Sequence, residues 1–212
     1  MESSSDEKST IPSYYFETSD LVIIALFAAL GGVFSNVVAN IANLFNRLFA
    51  GGGQLFAGLH VFWFVLVYFL TRRKKGAVLL AGVIKGLIEL FMGNPLGIIV
   101  VLISIGEAIV FEIIILILSP VTSQRFDHIR IALAAGGATT TNMIILLNIL
   151  LNQGLPLELI LMMLIFSFIS GIIFGGYLGL LFHQIFQKSG ILNWRKDPKV
   201  HNNSRSKQET LE

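Results

Sequence analysis

Cysteine is absent from this chain of 212 residues, which excludes disulfide bonds, thiolate metal ligands and cysteine nucleophiles. Charged residues are scarce: Asp, Glu, Lys and Arg make up 13% of the sequence, against about 25% in a typical soluble domain. Hydrophobic residues make up 54% and form long runs. Runs near 20 residues are long enough to cross a hydrocarbon core of about 30 Å. The composition therefore indicates one helical domain that crosses a membrane several times.

Motifs for nucleotide binding and hydrolysis are also missing. Gly51-Gly52-Gly53 lacks the Gly-Lys-Ser/Thr ending of a P-loop, so the chain cannot hydrolyse ATP by itself. No Gly-x-Ser-x-Gly nucleophile elbow occurs. The four histidines are scattered and match no metal-ligand spacing. We therefore expect a protein that is not an enzyme, has no metal or cofactor, and binds no nucleic acid.

Hydrophobic segments predict an all-α protein with six transmembrane helices, at residues 20–41, 55–71, 76–92, 96–118, 129–151 and 156–188. The predicted transmembrane domain covers residues 19–190. Residues 1–18 and 191–212 are polar and are predicted to be disordered tails. Lys and Arg concentrate after the second and fourth helices and in the C-terminal tail. By the positive-inside rule, both termini are expected in the cytoplasm.

Four charged residues interrupt these apolar segments: Lys85, Glu89, Glu107 and Glu112. Each costs roughly 2.5–3.5 kcal/mol at bilayer depth, so such residues are commonly functional. Lys85 and Glu89 lie one turn apart on one helix face, so they form either an internal ion pair or, for Glu89, a contact with a ligand. Glu107 lies at mid-membrane depth and is expected to face a ligand. Glu112 lies on a different face and is expected to meet a partner or the basic loops on the inner side.

Other polar residues are expected near the outer end. Asn36, Asn40 and Asn43 form one stripe on the first helix, which either bridges helices or contacts a ligand. His60 and Trp63 lie one turn apart on the second helix. They are either core and interfacial residues or an aromatic cover for a flat, charged ligand. Asn142 and Asn148 are expected to form hydrogen bonds between helices.

Small residues recur at intervals of four on two helices. Ala25 and Ala29 lie on the first helix, and a longer stripe lies on the sixth, at Ser167, Gly171, Gly175 and Gly179. Small residues at this spacing allow close helix approach. We expect the stripe on the sixth helix to pack internally, whereas the first helix either packs internally or offers its face to another protein.

These features together resemble the substrate-binding S component of an energy-coupling factor (ECF) vitamin transporter. The resemblance is carried by the six helices, the Ala25-x-x-x-Ala29 motif, and Glu89 followed by the turn Gly93-Asn94-Pro95-Leu96-Gly97. This turn and Gly106-Glu107-Ala108 are similar to the YkoE-type subgroup, which is associated with thiamine or its hydroxymethylpyrimidine precursor.

The resemblance implies a multi-pass protein of the plasma membrane that binds a vitamin from outside. It also implies that Ala25 and Ala29 dock a transmembrane coupling protein, which associates with two cytoplasmic ATPase subunits. Glu89 and Glu107 would then suit the charge and the aminopyrimidine of thiamine, and Trp63 would suit its rings. Seven residues are thus expected to contact the substrate: Glu89, Glu107, Asn94, His60, Trp63, Asn36 and Asn40.

Three alternatives remain open from the residues themselves. The chain could be an S component for another vitamin, because S components share a fold but not a pocket. It could be a stand-alone, proton-coupled small-molecule transporter with Glu107 as the proton carrier. It could also be a structural subunit in which the buried acids are merely paired.

Overall fold

The computed structural model describes residues 16–49, 51–119, 127–150 and 155–189, and the described part of the chain is helical throughout, without strands. The helices are α1 (Thr18–Leu48), a 3₁₀ turn (Gly52–Phe56), α2 (Gly58–Leu70), α3 (Ala77–Phe91), α4 (Ile99–Leu118), α5 (Asp127–Leu150), α6 (Leu157–Ser170), a π-helical turn (Gly171–Tyr177) and α7 (Leu178–Lys188). Since α6, the π turn and α7 run on without a break, six long helical segments result. The predicted all-α membrane fold is confirmed, while most of the two predicted tails lies outside the described residues.

Five of these segments are long and apolar enough to cross a membrane. The segment that falls short is α3, whose 15 residues span only about 22 Å at the usual helical rise of about 1.5 Å per residue. Large apolar side chains such as Leu26, Leu102 and Ile117 remain exposed on the outside of the bundle, as expected where lipid replaces water as the solvent. The described segments thus suit a protein that crosses a membrane several times.

The first helix is longer than its hydrophobic run predicts. The expected end at residue 41 is wrong by seven residues, because α1 continues to Leu48 through a segment that contains neither glycine nor proline. The chain then turns through Gly51, whose φ of 83° favours glycine. The Asn46 side chain accepts a hydrogen bond from the backbone N–H of Gly53 at 2.7 Å. The segment between the first two predicted helices, residues 42–54, is therefore mostly helical, and its amide side chains project from an ordered helix end.

The second helix forms the centre of the bundle, and most of its residues are buried. It approaches the sixth segment closely at Gly58, where an added Cβ would lie 2.0 Å from the carbonyl oxygen of Ser170. The Ser170 hydroxyl accepts a hydrogen bond from the Gly58 N–H at 2.9 Å and donates one to the Leu55 carbonyl at 2.6 Å. The small-residue stripe of the sixth segment packs internally, as predicted: Gly171 lies against α5 and Gly179 against α2.

Glu112 has a structural role at the end of the bundle where α3 begins. Its carboxylate accepts hydrogen bonds from the backbone N–H groups of Gly76, Val78 and Leu79, each at 3.0 Å. The first N–H groups of a helix lack partners within the helix and carry partial positive charge. Glu112 therefore caps the start of α3. Its hydrogen-bond partners are therefore backbone N–H groups, and not the basic side chains of the inner loops that were one of the two expectations.

Candidate functional site

A cavity of about 250 Å³ opens between α1, the 3₁₀ turn, α2, α3, α4 and α5. Its wall combines charged and amide side chains with aliphatic ones. The residues with polar side chains in the wall are Asn43, Asn46, Gln54, His60, Lys85, Glu89, Asn94, Ser104, Glu107 and Asn142. Four of the seven residues proposed from the sequence as substrate contacts belong to this set: Glu89, Glu107, Asn94 and His60.

The floor of the cavity contains a cluster of three buried charges. Lys85 Nζ lies 2.9 Å from Glu89 Oε1 and 3.8 Å from Glu107 Oε2. The three side chains are between 0% and 2% exposed. Of the two interpretations of Lys85 and Glu89 that the sequence allows, the structure realises the internal ion pair. One ammonium faces two carboxylates, so the cluster carries an excess of negative charge when all three groups are ionised.

Ser104 links the two members of this ion pair. Its hydroxyl accepts a hydrogen bond from Lys85 Nζ at 3.2 Å and donates one to Glu89 Oε2, also at 3.2 Å. The Lys85 ammonium also lies 5.5 Å from the centre of the Phe64 ring, a distance typical of a cation–π interaction. Lys85 and Glu89 are therefore held by each other and by fixed neighbours, as buried charges must be.

Glu107 has a hydrogen-bond partner at only one of its two oxygens among the described residues. The Asn142 side-chain amide donates a hydrogen bond to Glu107 Oε1 at 2.8 Å, which confirms the expected interhelical role of Asn142. Glu107 Oε2 is buried and has no hydrogen-bond partner among the described residues. A carboxylate oxygen that lacks a donor in a low-dielectric site is costly. The orientation that Asn142 imposes thus leaves one acceptor in the cavity wall for a donor from a ligand.

Histidine and amide groups line the remaining polar surface. His60 Nδ1 lies 2.9 Å from Ser35 Oγ, which fixes the imidazole ring beside the charged cluster. The Asn94 side chain accepts a hydrogen bond from the Leu96 N–H at 3.0 Å and so shapes the turn between α3 and α4. Together with Asn43 and Asn46, these residues give the cavity both donors and acceptors.

Three of the proposed contacts lie outside the cavity wall. Trp63 packs against Gly31 of α1 and against the rings of Phe34 and Phe62, with centroid distances of 5.6 and 5.3 Å. The Asn40 amide donates to the Asn36 carbonyl at 2.9 Å, and neither asparagine is in the wall. Of the asparagine stripe, the structure brings only its last member, Asn43, to the cavity.

Other wall residues were missed in the sequence. Ser104 precedes Glu107 by three positions and so shares its helix face, a spacing that could have identified it. Asn46 continues the spacing of Asn40 and Asn43 by three more residues. Its signal was lost because the first helix was expected to end at residue 41. Gln54 has no such signal, since its position depends on the tertiary contacts of the 3₁₀ turn.

Comparisons with a family model, a curated protein and a solved structure each match a transport protein. The family described as "ABC-type cobalt transport system, permease component" matches residues 19–143. The YkoE protein of Bacillus subtilis (strain 168), described as a candidate HMP/thiamine permease, is 24% identical over 181 residues, which cover 84% of this chain and 88% of that protein. A solved structure of an S component of an ECF transporter superposes with a TM-score of 0.72 at 21% identity, covering 93% of this chain and 99% of that one.

The expected resemblance to ECF S components is thereby confirmed, and the matched family is one of transporters and not of enzymes. The family match extends from the start of α1 to the part of α5 that holds Asn142, so it includes every element that lines the cavity. The chain belongs to the family of permease components of ABC-type cobalt transport systems and has the fold of an ECF S component.

Proposed function

We propose that the chain is the substrate-binding S component of an ECF importer and that its ligand is hydroxymethylpyrimidine or thiamine. The observation that carries the proposal is Glu107, whose Oε2 is buried in the cavity wall, 3.8 Å from Lys85 Nζ, and has no hydrogen-bond donor among the described residues. An aminopyrimidine presents N–H donors beside ring acceptors, and protonation or a thiazolium ring adds positive charge. A carboxylate with a free acceptor inside a negatively charged cluster complements such a ligand.

The size of the cavity favours a compact ligand. Its volume of about 250 Å³ lies just below the usual range of small-molecule pockets, roughly 300–1,000 Å³. A single pyrimidine ring fits inside this space. The name of the YkoE relative, which links that protein to HMP and thiamine, supports the same ligand class.

The exposed face of α1 fits the proposed role in assembly. Ala25 is exposed and Ala29 is half-buried, while neighbouring apolar residues such as Leu26 are exposed. A face of small side chains flanked by apolar ones allows another helix to approach closely. We place the transmembrane coupling protein here, with two ATPase subunits on the cytoplasmic side. Both termini and the basic turn after α2 would share that side.

Cobalt is the second candidate ligand, because the description of the matched family names it. Among the described residues, no three His, Cys, Asp or Glu side chains are placed to bind one metal ion. In the cavity, the ammonium of Lys85 is already paired with Glu89 and lies 3.8 Å from Glu107. A divalent cation would have to displace or repel this charge, so the donor set fits an organic ligand better.

Calorimetric titration of the purified protein tests the ligand. We expect hydroxymethylpyrimidine and thiamine to bind, and both Co²⁺ and the isolated hydroxyethylthiazole half of thiamine to bind much more weakly. The thiazole half is the matched control because it lacks the aminopyrimidine. Tight binding of Co²⁺, or of the thiazole half alone, would contradict the assignment of the pocket.

Uptake in cells tests the transport class. An S component needs its coupling protein and ATPases, so uptake should stop when the ATPase subunits are inactivated. A stand-alone proton-coupled transporter, with Glu107 as proton carrier, would continue to work without them and would instead lose activity when the proton gradient is collapsed.

A further inference from the structure

A second cavity, of about 220 Å³, lies at the opposite end of the bundle, and four of its nine lining residues are basic. Arg73 and Lys75 come from the turn after α2, Arg130 comes from α5, and Tyr68 lies between them at the end of α2. Neither the proposed ligand site nor the docking face on α1 uses this cavity. The proposed binding of a vitamin and the proposed docking of a coupling protein therefore do not account for this cavity.

The charges around this second cavity are not balanced. Arg73 and Arg130 share one carboxylate, that of Asp127, at 2.5 and 2.7 Å, so two guanidinium groups face a single acid. Asp127 itself is not in the wall of this cavity. Lys75 is exposed and has no ion pair with any described residue.

The remaining charges in the wall do not offset this excess. Lys74 is paired with Asp20 at 2.5 Å. Glu112 is the acidic residue that lines the cavity, but its carboxylate accepts three backbone N–H groups at the start of α3. Those donors carry the partial positive charge of the helix terminus. The free charge in the wall is therefore positive.

Arg130 provides a more specific observation. Its side chain is only 7% exposed, and its Nη2 donates to the Tyr68 hydroxyl at 3.2 Å. Its Nε is buried and has no hydrogen-bond partner among the described residues. A buried guanidinium with an unused donor is costly, and a planar array of N–H donors suits the oxygens of a phosphate. The Tyr68 hydroxyl can donate its own proton beside it.

Apolar side chains from α4 also line the cavity. Besides Glu112 and Ser119, this helix contributes Ile115 and Leu116, and Leu116 is 44% exposed beside Ile113 and Ile117 on the outer surface. The basic groups of this cavity would suit the headgroup of an anionic lipid, and the exposed aliphatic groups beside them would suit its acyl chains. Basic pockets between transmembrane helices are suited to anionic headgroups.

We propose that this second cavity binds a phosphate group through Arg130, Lys75 and Tyr68. The group comes either from an anionic phospholipid, whose acyl chain would lie along Leu116, or from free phosphate. Bound phosphate would balance the positive charge of the two guanidinium groups and Lys75, and would stabilise the junction of α2, α4 and α5. This site is independent of the ligand in the first cavity.

Binding measurements on the delipidated, full-length protein in detergent test the proposal. The probes are dioctanoyl phosphatidylglycerol, dioctanoyl phosphatidylcholine and inorganic phosphate. Phosphatidylglycerol should bind saturably, and the zwitterionic phosphatidylcholine about tenfold more weakly. Lys75→Gln should weaken phosphatidylglycerol binding about fivefold, as expected for one basic residue at a lipid headgroup. Lys188→Gln removes the same charge at the end of α7, outside the cavity, and should have no effect.

The arms of this experiment also separate the two sources of phosphate. Competition by inorganic phosphate shows a site for phosphate itself, whereas failure to compete shows that the lipid chain is required. Arg130→Gln, which also breaks contacts with Asp127 and Tyr68, should lose binding if it folds; the exposed Lys75 keeps the test valid if it does not. The proposal is overturned if no anion binds saturably, if phosphatidylcholine binds as well as phosphatidylglycerol, or if the Lys75 and Lys188 variants weaken binding equally.

Discussion

Glu89→Gln should damage the stability of the protein more than its affinity for ligand. Lys85 is 1% exposed and has its closest carboxylate, Glu89, at 2.9 Å. In the variant the remaining carboxylate is Glu107, at 3.8 Å. Removing one partner of a buried ion pair costs about 3–5 kcal/mol, because the other charge stays buried without compensation. The loss arises from Lys85, not from a contact with the ligand.

Glu107→Gln is the matched comparison and should show the opposite pattern. The glutamine carbonyl can still accept the hydrogen bond from Asn142, and Lys85 keeps its closer partner Glu89. The loss of stability should be smaller. A buried charge-assisted hydrogen bond contributes about 1.5–3 kcal/mol, so the affinity for hydroxymethylpyrimidine should fall roughly ten- to a hundred-fold.

Melting curves in detergent, together with calorimetric titrations, measure both effects. The double variant Lys85→Met/Glu89→Gln removes both members of the closer pair. It should be more stable than Lys85→Met alone, because no single charge of that pair is left unmatched. If Glu89→Gln instead melts like the wild type and loses affinity, then Glu89 contacts the ligand directly and the ion-pair argument is wrong. If neither glutamine variant changes affinity, the pocket lies elsewhere.

Three further outcomes follow from the geometry of the helices. Ala29→Trp should abolish uptake and leave ligand affinity intact, and normal uptake by this variant would refute the docking face. The control Leu102→Trp, on the exposed face of α4, should support normal uptake. Hydrogen exchange in Gly52–Phe56 should slow when ligand binds, because this turn borders the cavity, and unchanged exchange at saturation would exclude a closing role. Gly58→Ala should lower the melting temperature, since its Cβ would lie 2.0 Å from the Ser170 carbonyl and overpacking costs about 1–3 kcal/mol; a wild-type melting curve would show that the two helices can separate there without cost.

The fold could be predicted from the sequence because lipid imposes strict requirements on a chain. Every backbone polar group within the membrane must be paired, so long apolar runs become helices. The ends of the helices were less predictable. Residues 42–48 are mixed in polarity but contain no helix breaker, so α1 continues beyond its hydrophobic run. Where a strong stop exists, as at Gly93-Asn94-Pro95, the predicted end at residue 92 agrees within one residue with the observed end at Phe91.

The residues of the site could be predicted where a charged side chain marks them. They could not be predicted where the rotation of a helix about its axis determines which side chains face the cavity. Glu89 and Glu107 stand out because charge is rare in these runs, and both line the cavity. Trp63 stands out equally in the sequence, yet it faces α1, because Gly31 offers a recess there: a Cβ on Gly31 would lie 2.9 Å from the indole. Which face of an apolar helix meets a neighbour depends on such small residues in the partner helix, which the sequence of one helix does not contain.

The position of Lys85 limits how much positive charge the proposed ligand can bring into the cavity. Two buried carboxylates alone would present a double negative charge, which a divalent metal neutralises well. With Lys85 at 2.9 Å from one carboxylate and 3.8 Å from the other, the ligand needs to supply at most one positive charge, together with a hydrogen-bond donor for Glu107. A protonated or amino-substituted pyrimidine meets this requirement, whereas a dication would face repulsion from the ammonium. Under the proposed function Lys85 would serve as a fixed counter-ion that disfavours divalent cations, so Lys85→Met should raise the affinity of the cavity for divalent cations relative to hydroxymethylpyrimidine.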